Sequence, residues 1–311
     1  MERAATFHLV VPASTRSFGD DDWHRTESEY INAWKAALIA LREREVFVDD
    51  VNYKVKVDWT PLLRRHERHY AAMAYLARGQ AKNLSSRLML ARFPRRPTRI
   101  QVVVESSSKV SKKMESIAES LIHDVFLIMN IAAPGCCNFY NAKLEGSERA
   151  SEISLSSSEF ELCVMPTRRR PQTAAFVPVD AVIRWYESVR PVAGQIPSNP
   201  TERTLFALLH LAKLRDQMLA VVWLFYAFES LLQTKVGDNF SSIVRRLALV
   251  LGSTNNEIAA MKKEMRALYD LRSSIVHGGF EVIHPMQDET VDKRVDKVFG
   301  RLLTVNEYGL V

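Results

Sequence analysis

Residues 268–279 read Leu268-Tyr269-Asp270-Leu271-Arg272-Ser273-Ser274-Ile275-Val276-His277-Gly278-Gly279. With the residues before them they predict a helix over 257–277. Ile258, Met261, Met265, Leu268 and Ile275 recur at helical intervals and define one buried face. The step missing from that series is position 272, an arginine. Arg272 therefore occupies the stripe that faces the core or a cleft, where a guanidinium is costly unless it is paired. Gly278-Gly279 supply a helix stop, which puts His277 in the last turn. Arg272 and His277 lie about 140° apart around a straight helix. They line one cleft only if the helix ends or bends at His277, and the glycine pair allows that.

The counter-charge is found by working outward. Residues 218–232 are apolar on nearly every side, which predicts a central helix, and their only acidic residue is Glu229. One carboxylate and one guanidinium inside a small helical domain are expected to pair, either as part of a site or as a bridge that fixes helix packing. Further upstream, residues 190–200 have linker composition. Asn199, Pro200 and Glu202 then form a helix start, with Asn199 as cap and Glu202 as the returning carboxylate. The pattern continues as a long helical stretch over 201–234, broken once, then helices over 239–251, 257–277 and 288–306. Residues 198–311 are thus expected to form an all-α domain.

Residues 1–190 read as a mixed α/β domain, so the chain as a whole is α+β. Thr6–Val11, Val51–Val57 and Ile100–Val104 are strand-like, and Ser151–Met165 suggests one or two more strands. Helices are expected over 30–44, 62–77, 110–130 and 180–189. No internal repeat is present. The 311 residues carry 42 Lys+Arg against 36 Asp+Glu, a net charge of +6. That balance permits a polyanionic partner without a basic arm, so any nucleic-acid contact must come from local clusters. The three cysteines, Cys136, Cys137 and Cys163, have no CxxC spacing. They indicate neither a zinc knuckle nor a disulfide framework. No segment reads as a leader or a membrane span, and the expected location is cytoplasmic.

The stretch 268–279 resembles the Arg-x4-His signature of HEPN domains, particularly the Apea-like group. Ala227-Phe228-Glu229-Ser230-Leu231-Leu232 resembles the acidic helix that precedes the signature there. The resemblance covers residues 200–305. It implies a HEPN-like helical bundle and a metal-independent endoribonuclease without cofactor. It also implies a homodimer formed through the helical domain, so that two Arg/His pairs line one cleft. On this resemblance Arg272 binds the scissile phosphate, His277 transfers protons and Glu229 orients Arg272. Ser273 stands where many active members carry Asn, Asp or His, and it can still donate a hydrogen bond to RNA. The resemblance further implies a role in bacterial antiviral defence or a toxin-like system. The N-terminal domain would then sense a trigger, phage-derived or a regulatory partner, recognise substrate or restrain the nuclease. Two other readings remain open: a non-catalytic HEPN module for dimerisation or nucleic-acid binding, and a scaffold subunit of a defence complex.

Three further clusters are basic. Arg95-Arg96 and Arg168-Arg169-Arg170 lie beside prolines in expected loops and could track an RNA backbone. Arg64-Arg65-His66-Glu67-Arg68-His69 departs from zincin spacing, because position 70 is Tyr70. It reads as a solvated basic face. Cys136-Cys137 read as buried structural thiols. No Walker loop, Rossmann fingerprint or serine-hydrolase arrangement is present.

Overall fold

The computed structural model describes residues 3–13, 23–78, 96–107, 113–146, 150–164, 174–189, 196–213, 217–234 and 240–277. The expected helix over 288–306, Gly278-Gly279, Arg95 and Arg168–Arg170 lie outside them. The chain is α+β and separates into two compact units. One comprises Met1–Ser157, Met165–Pro171 and Phe176–Ala193. The other comprises Ser158–Val164, Gln172–Ala175 and Gly194–Val311.

The first unit is built on one six-stranded antiparallel sheet with strand order β2-β3-β4-β1-β5-β6. The strands are β1 (Arg3–Val11), β2 (Glu43–Val48), β3 (Val51–Val57), β4 (Thr98–Ser106), β5 (Phe139–Glu145) and β6 (Ser151–Leu155). Alternation sets the buried face: Phe7, Leu9 and Val11 on β1, Tyr53, Val55 and Val57 on β3, and Ile100, Val102 and Val104 on β4. Register stacks them, with Phe7 opposite Val102, Leu9 opposite Ile100 and Leu144, and Val55 opposite Val104. Asp49 and Asp50, both at positive φ, form the two-residue turn joining β2 to β3. Gly146 ends β5 at φ 136, and a Cβ there would lie 2.7 Å from the Thr6 carbonyl oxygen, so no larger residue fits without displacement.

Among the described residues, four helices belong to this unit: α1 (Trp23–Ala40), α2 (Thr60–Ala77), α3 (Met114–Ala132) and α5 (Val179–Val189). Helices α2 and α3 pack on β4, and α1 and α5 pack on the other helices. Helix α3 is buried on all sides along its C-terminal half, from Val125 to Ala132. The loop after it is anchored from three directions. Tyr30 donates to the Pro134 carbonyl at 2.7 Å, Trp34 Nε1 to the Cys136 carbonyl at 3.1 Å, and Asn130 Nδ2 to the Cys137 carbonyl at 2.8 Å. Three expectations change here. The helix read over 30–44 spans Trp23–Ala40 and is followed by β2, an edge strand. Residues 139–145 form a strand that the pattern did not mark. The strands expected over 151–165 resolve into β6 and a short helix, α4 (Ser158–Val164), which belongs to the second unit.

Beyond α4, the described residues of the second unit hold α6 (Pro200–Lys213), α7 (Gln217–Leu231), α8 (Phe240–Val250) and α9 (Asn255–Val276). Helix α6 starts with Asn199 Oδ1 accepting from Glu202 N at 2.9 Å. Glu202 Oε2 in turn accepts from both N and Oγ of Ser198, each at 2.6 Å, one residue before the position expected. A capping box between Thr254 and Glu257 starts α9. Met261, Met265 and Leu268 form its buried stripe, as their spacing predicts. Helices α6 and α7 pack against each other, and α9 packs on both α7 and α8.

Candidate functional site

Two contacts fix the C-terminal end of α7. Gln233 at φ 50 turns the chain out of the helix. Arg246 on α8 donates from Nη1 to the carbonyls of Leu232 and Gln233, at 2.7 and 2.9 Å. A guanidinium on the last carbonyls satisfies acceptors that no helical N–H can reach. Glu229 is held one turn before this cap. Tyr269 does the same for α9, with its ring 5.4 Å from Phe225 and 5.2 Å from Phe240. Arg272 follows it by one turn, its guanidinium 5.8 Å from the Tyr269 ring centroid.

This scaffold brings Glu229 and Arg272 together. Nη2 of Arg272 lies 3.2 Å from Oε1 and 3.3 Å from Oε2 of Glu229. A single nitrogen thus bridges both carboxylate oxygens, and the parallel two-nitrogen fork is not formed. Nη1 makes no hydrogen bond among the described residues, and the buried Nε also has none. The side chains are 26% and 32% exposed. The pair therefore sits at the edge of the core, and the expected burial of both charges is corrected to partial burial. The reason is α7 itself, which is not enclosed. Leu219 and Tyr226 are exposed on the face that Glu229 flanks.

His277 forms the C-cap of α9, and its backbone N–H donates to the Ser273 carbonyl at 3.0 Å. Its side chain is exposed and makes no hydrogen bond or ion pair with Arg272 or Glu229 among the described residues. The helix does end at His277, as the sequence predicts. Ser273 is half-buried one position after Arg272, and Arg96 is exposed just before β4.

In the basic cluster on α2, Arg64 and Arg68 are exposed as expected, and the histidines are not. His66, expected on a solvated face, is buried. Its Nε2 lies 3.1 Å from the Cys136 carbonyl, and its Nδ1 lies 3.5 Å from Oε2 of the fully buried Glu27. His69 Nδ1 approaches Oε1 of the same carboxylate at 3.6 Å. The i, i+3 spacing of the histidines puts both on one side of α2, but only the packing of α1 decides that this side is the inner one. Cys136 and Cys137 are buried thiols, as expected, and Cys163 is buried too. Among the described residues no group of three His, Cys, Asp or Glu side chains could hold a metal ion, and no helix is long and apolar enough to cross a membrane.

No family model, curated protein or solved structure matches the chain.

Proposed function

We propose that the second unit is a HEPN-type helical bundle and that the protein is a metal-independent endoribonuclease. The observation that carries this reading is the Glu229–Arg272 pair, in which Glu229 engages Nη2 and leaves Nη1 without a partner among the described residues. A carboxylate that holds one side of a guanidinium orients the other side for a phosphoryl oxygen. In the reaction the 2′-oxygen attacks the adjacent phosphorus and the 5′-oxygen leaves, giving a 2′,3′-cyclic phosphate. The 2′-hydroxyl loses its proton to a base, and the 5′-oxygen gains one from an acid. Imidazole can take either part near neutral pH. Arg272 binds the non-bridging oxygens and stabilises the charge that builds on the phosphorane. Glu229 is the positioning residue, and His277 is the proton carrier.

A second copy would bring another Arg272 and His277 to the same cleft. The resemblance implies a homodimer of this kind. It also implies a place in bacterial antiviral defence or a toxin-like system, with the first unit sensing a phage-derived trigger or a regulatory partner. Arg96 and Ser273, with Arg95 and Arg168–Arg170, are the proposed RNA contacts, and the proposed location is cytoplasmic. The test is cleavage of a labelled RNA by the purified full chain with chelator present. Arg272→Ala and His277→Ala should each lower the rate at least about a hundredfold, the scale of general acid–base and oxyanion contributions. Equal cleavage by wild type and both variants would refute the catalytic reading.

A further inference from the structure

Helices α6 and α7 share a strip of rings that the cleavage chemistry does not use. His210 on α6 lies parallel to Trp223 on α7, with ring centroids 3.9 Å apart and planes 6° apart. Tyr226 meets the edge of Trp223 at 5.8 Å, perpendicular to it. His210 is exposed, Tyr226 is 37% exposed and Leu219 beside them is 44% exposed. Partial burial first and the charge of Lys213 second lower the His210 imidazole from its ordinary value, and Lys213 puts a cation close to the stack. Arg203 lies two turns before His210 on the same side of α6.

The strip also has a direction. Tyr226 and Glu229 are one turn apart on the exposed side of α7, and Glu229 holds Arg272. From Trp223 to Glu229 the axial distance is roughly 9 Å, about three stacked nucleotides at roughly 3.4 Å each. Flat rings, flanking cations and a guanidinium at one end match a single nucleic-acid strand, whose bases stack on aromatic faces while its phosphates meet positive charge. Lys213 and Arg203 flank the rings, the charge a polyanionic strand needs.

We propose that the outer face of His210, backed by Trp223, and the ring of Tyr226 form a stacking ladder for the unpaired bases of a single-stranded RNA, which feeds its backbone toward Arg272. The proposal rests on the ribonuclease reading for its ligand but not for its test. A short 2′-O-methyl RNA strand cannot be cleaved at its blocked hydroxyl, so it reports binding alone. The full chain should bind this strand more tightly than its duplex and more tightly than a strand of the same length whose bases are absent. Trp223→Ala and Tyr226→Ala should each weaken binding of the base-bearing strand by roughly 5- to 140-fold, the range of one base–ring stack. Neither should weaken binding of the abasic strand, and Trp223→Phe and Tyr226→Phe should restore most of the affinity. Circular dichroism identifies a variant that fails to fold, and the more exposed Tyr226 then decides. Unchanged affinity in folded variants would overturn the ladder even if RNA is still cleaved. So would equal loss on both strands, or a dimer that dissociates on substitution while strand affinity stays constant. Ring-dependent binding without any cleavage of ordinary RNA would keep the ladder and remove the nuclease.

Discussion

Replacing Glu229 separates a positioning role from a packing role. Its carboxylate receives one nitrogen of Arg272 at 3.2 and 3.3 Å, and both side chains are about a quarter to a third exposed. At that distance and an effective dielectric of about 20, the gross attraction is about 5 kcal/mol. Desolvation and solvent screening reduce the net value for such a pair to about 1 kcal/mol. Glu229→Ala should therefore cost about 1 kcal/mol of stability in the second unit. The effect on function should be larger and should divide in sign. Without its carboxylate, Arg272 samples other rotamers, and a misplacement of about 1 Å can cost about a hundredfold in rate. Binding should hold or tighten, because a negative charge has left the neighbourhood of a polyanion. Single-turnover cleavage with saturating enzyme gives the first quantity, and the concentration dependence of the rate gives the second. Glu229→Asp should recover part of the rate, since its shorter carboxylate still faces Nη2. If Glu229→Ala loses binding in proportion to rate, or cleaves as fast as wild type, Glu229 does not position Arg272.

Two further outcomes follow from geometry elsewhere. The Cys136 carbonyl can only accept, so Nε2 of His66 must carry a proton; Nδ1 then faces the Glu27 carboxylate, and the pair holds a second proton. Glu27→Ala should cost about 3 kcal/mol or more in urea unfolding of the first unit, and Glu27→Gln about 1 kcal/mol, because an amide N–H can donate to a neutral Nδ1; equal losses would refute this proton count. Burial first and Lys213 second depress His210 from its ordinary 6.5, so the unfolded chain takes up that proton before the folded one. This contribution to stability is complete above pH 6.5 and is lost as pH falls through the folded value. Unfolding midpoints compared with those of His210→Asn should show the loss, and a gain in relative stability on acidification would contradict it.

What was legible in the sequence is what a single element carries. The stripe Met261, Met265, Leu268 repeats at helical spacing, so one helix declares its own inner face. Glu229 and Arg272 could be matched across two helices for a related reason: each stands among apolar residues, and a charge so placed must find its opposite. Edge strand β2 was illegible because its burial pattern never reaches full burial on either face, leaving its charges and the helical pattern before it to dominate. His66 was misread because arginines surround it in sequence, whereas its environment comes from Glu27, Trp34 and the loop at Cys136, all distant along the chain. Helix α7 shows the limit most clearly. A helix apolar on every side carries no periodic signal, so nothing in residues 217–231 tells which side meets solvent. Only the packing of α6 and α9 leaves Tyr226 outside and brings Glu229 to the edge. The expectation of a buried ion pair fails at that point, and the Arg272 guanidinium is left partly open to solvent.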